Sequence, residues 1–117
     1  MKRASGLFAA ALIVLAAAVS AGRVAAQPAA VTSENLNQMI AKAKAPADHE
    51  AIAAYYDGEA AANEKMVKLH RASENIYTKT TNVLHCKALI RSYQQAAEQD
   101  RALAAWHRAM ARKGAGQ

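Results

Sequence analysis

The stretch HEAIAAYYDGEAAANEKMVKLH, residues 49–70, decides the fold. It carries His49, Tyr56, Asn63 and His70 at successive steps of seven. Seven residues nearly complete two α-helical turns, so such a row stays on one helix face and drifts only about 20° per step. A second stretch, CKALIRSYQQAAEQDRALAAWH, residues 86–107, carries Cys86, Tyr93, Asp100 and His107 at the same steps. The second row is the first displaced by 37 residues, and the displacement also matches Ala51 with Ala88, Ala60 with Ala97, and His70-Arg71-Ala72 with His107-Arg108-Ala109. Apolar residues lie three beyond most row members: Ile52 and Met66, then Leu89, Ala96, Leu103 and Met110. The polar row therefore falls on the expected packing seam, where a coiled coil ordinarily carries Val, Leu or Ile.

Outward from these rows, the punctuation of the chain sets the elements. Residues 27–32 contain Pro28 and small side chains and read as a flexible lead-in. Ser33 is a suitable N-cap, Glu34 suits a first helical turn, and Leu36, Met39, Ile40 and Ala43 follow at helical spacing. A short helix is predicted over residues 33–44, ended by Pro46. Pro46 suits the first position of the next helix, with Asp48 and Glu50 in its first turn. That helix is predicted to run to about residue 77. Gly58 within it costs about 1 kcal/mol against alanine and reads as a place for close approach or a bend. Thr78, Lys79, Thr80 and Thr81 interrupt the pattern, and Thr81 or Asn82 can cap a third helix reaching residue 111 or 112. Residues 114–117 read as a frayed tail.

Two long helices joined by a short turn form an antiparallel hairpin. The fold class expected is all-α: a short N-terminal helix plus a long two-helix hairpin, one domain over residues 33–113. A single hairpin buries little, so the short helix or a second copy completing a four-helix bundle is expected to cover it. Folding near Lys79 pairs His49 with His107, Tyr56 with Asp100, Asn63 with Tyr93, and His70 with His85 and Cys86, to within about one helical turn. A structural role for these pairs is a hydrogen-bonded ladder that sets register, and it predicts that Tyr56→Phe and Asp100→Ala both lower stability. The alternative is a transition-metal site for Cu, Zn or Ni built from His49, His70, His85, Cys86 and His107, with Asp48 or Glu50 joining at the open end. No HxxxH, ExxH or CxxC spacing occurs, and His85 and Cys86 point about 100° apart on a helix. The carboxylates are too few for a di-iron bundle. Catalysis by Cys86 with a histidine finds no deep pocket in a two-helix hairpin, so a non-enzymatic module is expected.

Composition bounds the setting. Lys2 and Arg3 precede the uncharged apolar run 7–19, and Val24-Ala25-Ala26 fits a cleavage site before Gln27. Residues 1–26 read as a secretory signal peptide, whose 13-residue apolar run is short of the roughly 20 residues that span a bilayer. Export to the periplasm or medium as a chain without stable membrane insertion follows as an expectation. Beyond residue 26, 12 basic residues face 9 acidic ones. They are interleaved rather than gathered in a stripe, which argues against nucleic acid as a partner. The surface instead calls for a homodimer or a protein partner. Cys86 is the single cysteine and is open to three readings: a buried thiol, an intermolecular bridge or a metal ligand.

The segment Ala47-Asp48-His49-Glu50-Ala51-Ile52-Ala53-Ala54-Tyr55-Tyr56 and the later His85-Cys86-Lys87-Ala88-Leu89-Ile90-Arg91-Ser92-Tyr93 resemble a group of small exported, uncharacterised helical proteins of Gram-negative bacteria. The resemblance covers residues 49–110. It implies an exported helical protein and carries over no functional residues.

Overall fold

The computed structural model describes residues 29–116. The signal segment, residues 27–28 of the lead-in and the final residue of the expected tail lie outside the described residues. Three helices follow in order: α1 (Leu36–Lys42), α2 (Pro46–Glu74) and α3 (Thr80–Ala115), with no strand among the described residues. The two long helices pack along each other as a hairpin, while α1 lies against α2 alone.

The helix ends differ from the sequence expectation for local reasons. Helix α1 starts three residues late, because residues 33–35 form a turn and Asn35 is the N-cap. The Asn35 side chain bonds backward rather than into the helix: its Oδ1 accepts from Thr32 N–H at 2.8 Å, and its Nδ2 donates to the Ala30 carbonyl at 2.9 Å. Helix α2 begins at Pro46 as expected. The Asp48 carboxylate accepts from the Lys44 and Ala45 N–H groups at 3.1 and 3.0 Å. These bonds hold the Asp48 carboxyl below its ordinary pKa. The helix stops at Glu74, three residues early, where the N–H groups of Ile76 and Tyr77 both turn onto the Ser73 carbonyl. Helix α3 starts at Thr80 rather than Asn82, with Lys79 as its extended N-cap. It runs through Gly114, which lies against Pro46: a Cβ at Gly114 would sit 3.4 Å from Pro46 Cγ. That contact with the start of α2 extends the helix into the expected tail. Gly58 makes no close approach, since nothing lies within 4 Å of a Cβ placed there.

Four rows organise the hairpin. The polar row is at the seam, but its apolar companion is not the set three residues beyond it. The buried companions lie four beyond: Ala53, Ala60 and Val67 on α2, and Ile90, Ala97, Ala104 and Ala111 on α3. A four-residue step turns about 40° and a three-residue step about 60° the other way, so either set could have faced the partner. Alanine at four lets the backbones close along that side. Among the residues three beyond, Ile52 alone is buried; Leu89, Ala96 and Met110 are half-buried and Leu103 is exposed.

These choices leave the two flanks unlike. One step beyond the polar row stand Glu50, Asp57, Glu64 and, next to the turn, Arg71 on α2, and Lys87, Gln94, Arg101 and Arg108 on α3. Arg108 pairs with Asp57 and with Glu50, Arg101 pairs with Glu64, and Lys87 reaches Glu74 at 3.6 Å. From the open end to Glu64, acid on α2 and base on α3 thus close this flank. The opposite flank is the row Ile52, Glu59, Met66 and Ser73 on α2 and Leu89, Ala96, Leu103 and Met110 on α3. These are coiled-coil edge positions that carry mostly apolar groups, with Glu59 the one charge.

Candidate functional site

The polar seam is the site that the sequence singled out, and the structure assembles it in a staggered register. His49 and His107 meet at the open end, as expected, with their Nδ1 atoms 3.1 Å apart and both rings buried. One ring donates and the other accepts, so at least one is neutral at that nitrogen. The other pairings shift by one row member. Asn63 donates from Nδ2 to Asp100 Oδ2 at 3.0 Å, where Tyr93 was expected. His70 stacks on Tyr93 with centroids 5.7 Å apart, where Cys86 and His85 were expected. Tyr56 stacks on His107 at 6.0 Å, where Asp100 was expected. The contact between Pro46 and Gly114 shows the reason. It places the fold point nearer residue 80 than 78, so each α2 row member falls between two α3 row members rather than opposite one.

This stagger changes the part played by tyrosine. Tyr56 contributes its ring, edge-on to Tyr55 and stacked on His107, rather than a hydroxyl bond to Asp100. Trp106 adds a perpendicular ring 4.8 Å from His107. His107 is thus enclosed by His49, Tyr56 and Trp106. Burial, reinforced by the neighbouring His49, lowers its pKa and favours the neutral imidazole. No buried side-chain nitrogen or oxygen among the described residues lacks a hydrogen-bond partner.

The five expected metal ligands fall into two groups at opposite ends. His49 and His107 touch, but the carboxylates expected to join them are engaged elsewhere: Asp48 by backbone N–H groups and Glu50 by Arg108. At the turn end His70, His85 and Cys86 border one open cleft with Leu69, Ser73, Tyr77 and Leu89. His70 is held flat against Tyr93, His85 is exposed, and Cys86 is a buried free thiol. Among the described residues no three His, Cys, Asp or Glu side chains converge as metal ligands would. Sequence reasoning missed the charged flank, although Glu50-Asp57-Glu64 and Arg101-Arg108 also recur at steps of seven. The signal was present one position along from the row that drew attention.

No helix among the described residues is long and apolar enough to cross a membrane. No protein-family model, no curated protein and no solved structure matches the chain.

Proposed function

We propose that this chain is an exported, non-enzymatic helical module of the periplasm or medium, structural or binding in role, that acts by associating with a second copy or a protein partner. One observation carries the reading: two pairs of polar seam side chains are spent on each other. His49 bonds His107 and Asn63 bonds Asp100, across helices and inside the packing surface. Groups so engaged set register and are not presented to a substrate. The charge-free run 7–19 and the small residues before Gln27 support export.

The test removes the ladder one rung at a time. Asp100→Ala leaves the Asn63 amide without its acceptor and is expected to cost about 1 kcal/mol, a fall of several degrees in melting temperature for a domain this small. Tyr56→Phe keeps the stacked ring and is expected to cost under about 0.5 kcal/mol. Equal losses in the two variants, or none in Asp100→Ala, would refute the ladder.

A second reading, binding of Cu, Zn or Ni, has one observation in its favour. The two Nδ1 atoms of His49 and His107 converge closely enough for one ion to replace the shared proton. Metal content of the untagged exported protein, with melts in the presence and absence of a chelator, separates the two. The ladder predicts no stoichiometric metal and an unchanged melt; a metal site predicts the reverse, lost in His107→Ala.

A further inference from the structure

We propose that the turn end of the charged flank binds a phosphate monoester, with the dianionic group taken by Arg71 and Arg91 and an apolar substituent laid against Leu84. The inference goes beyond the associating module above and uses none of the seam. Three observations carry it.

The first is a reversal of charge order. One step beyond the polar row, α2 carries Glu50, Asp57 and Glu64, and the next step of seven brings Arg71. Helix α3 stays basic toward its start, with Lys87 in that row and Arg91 one turn along. The flank that sets acid against base from the open end to Glu64 thus sets base against base near the turn. Lys87 and Arg91 also stand four apart on one helix, a spacing at which like charges repel.

The second is that these charges are left largely unanswered. Glu74 reaches Lys87 at 3.6 Å. Among the described residues no carboxylate lies within 4.0 Å of the Arg71 or Arg91 guanidinium. Arg71 also borders the neighbouring groove with Glu64 and Glu98, but Glu64 is paired there with Arg101.

The third is the space they share. Arg71, Lys87 and Arg91 line one open cleft of about 610 Å³, with Glu74 its only carboxylate and Leu84 and Ile90 its apolar wall. A cleft of that size accepts a small organic molecule. Three cations around one carboxylate leave an excess of two positive charges. A phosphate monoester carries about −1.5 to −2 charge at neutral pH, and its oxygens accept from both guanidinium forks and from the Lys87 ammonium. Leu84 is 59% exposed, so an apolar substituent has a surface to cover. The lining holds no aromatic ring on which a base could stack, which separates this cleft from a nucleic-acid groove.

The test is titration calorimetry of the untagged chain at low salt with phenyl phosphate, inorganic phosphate and succinate. Phenyl phosphate is expected to occupy a single site, several-fold tighter than inorganic phosphate, with succinate weaker than either. Arg71→Gln and Arg91→Gln are each expected to weaken phenyl phosphate about tenfold, with helicity by circular dichroism unchanged because both side chains are exposed. Arg112→Gln is the control. It removes the same charge from an exposed position in the last turn of α3 and should leave binding unchanged. Leu84→Asn should bring phenyl phosphate down to the affinity of inorganic phosphate, and a retained preference refutes the apolar wall. Absence of phenyl phosphate binding overturns the proposal. Succinate binding as tightly as phenyl phosphate does so too, as does an Arg112→Gln loss equal to that of Arg91→Gln. Flotation with phosphatidylcholine vesicles, with and without phosphatidic acid, distinguishes the source of the group. Capture by phosphatidic acid that is lost in Arg91→Gln assigns a lipid headgroup, and phenyl phosphate binding without capture assigns a soluble monoester.

Discussion

At the scale of single residues, His107 concentrates most of the chemistry of the seam. It is 2% exposed, bonded to His49 and flanked by the rings of Tyr56 and Trp106. Burial first, and the nearby His49 second, place its pKa below the ordinary histidine value. The unfolded chain therefore binds a proton near pH 6.5 that the folded chain resists. Stability from this group is complete above about pH 6.5 and declines as the pH falls below it toward the lower folded pKa. The melting temperature is expected to fall between pH 7.5 and 5.5. In His107→Gln, which can still donate to His49 Nδ1 but does not titrate, the drop should largely disappear. A wild-type melt that is flat over this range would mean that His107 is not held neutral. The remaining acid sensitivity lies lower. Asp57, beside the Arg108 guanidinium, and Asp48, bonded to backbone N–H groups, both have depressed carboxyl pKa values. Their contributions persist above the ordinary carboxylate range and disappear only as the pH falls below it.

At the scale of elements, the long helices are regular over almost their whole length, and Gly58 stands out for having no task. Its surroundings are open and its backbone is helical, with no positive φ. Glycine in that setting carries only its entropic cost against alanine. Gly58→Ala is expected to stabilise the hairpin by about 0.5–1 kcal/mol, read as a higher denaturant midpoint at unchanged slope. A loss of stability would show that something packs on α2 there. Gly114 is the contrast, because it touches Pro46 across the hairpin and helps to hold the two ends level. The short α1 buries none of its residues, so truncating it should matter less than any change in the seam.

For the whole molecule, the charged flank supplies directional information that the alanine-rich seam lacks. Acid on α2 faces base on α3 only when the chain folds on this side of the seam. Folding toward the other side would leave the ion pairs unmade and bury a different row. Each pair is partly exposed, so each is expected to contribute little alone: about 0.2–1 kcal/mol for Arg108 with Asp57, at the low end after solvent screening. A double-mutant cycle checks this. Arg108→Glu should lower the melting temperature by placing like charges beside Asp57 and Glu50, and adding Asp57→Arg should recover part of the loss. No recovery would indicate that the flank does not select the packing side.

Helicity, an interruption between two long helices, the antiparallel hairpin and the meeting of His49 with His107 were determined by the sequence itself, although the interruption read at residues 78–81 falls at 75–79. They follow from local properties: a seven-residue repeat, Pro46 at a helix start, and a threonine-rich interruption. The pairings further along were decided only by tertiary structure. A shift of about two residues in the fold point is invisible to periodicity, yet it moves Asn63 from Tyr93 to Asp100 and His70 from Cys86 to Tyr93. Tertiary packing also chose the buried companion row. Helix geometry allows a three- or a four-residue step on either side of the polar row, and close approach through Ala53, Ala60, Ala97 and Ala104 settled on four. That choice left Leu103 exposed and Met66, Leu89 and Met110 half-buried, because a pair of helices has one shared face and fully buries only one of the two flanking rows along its length.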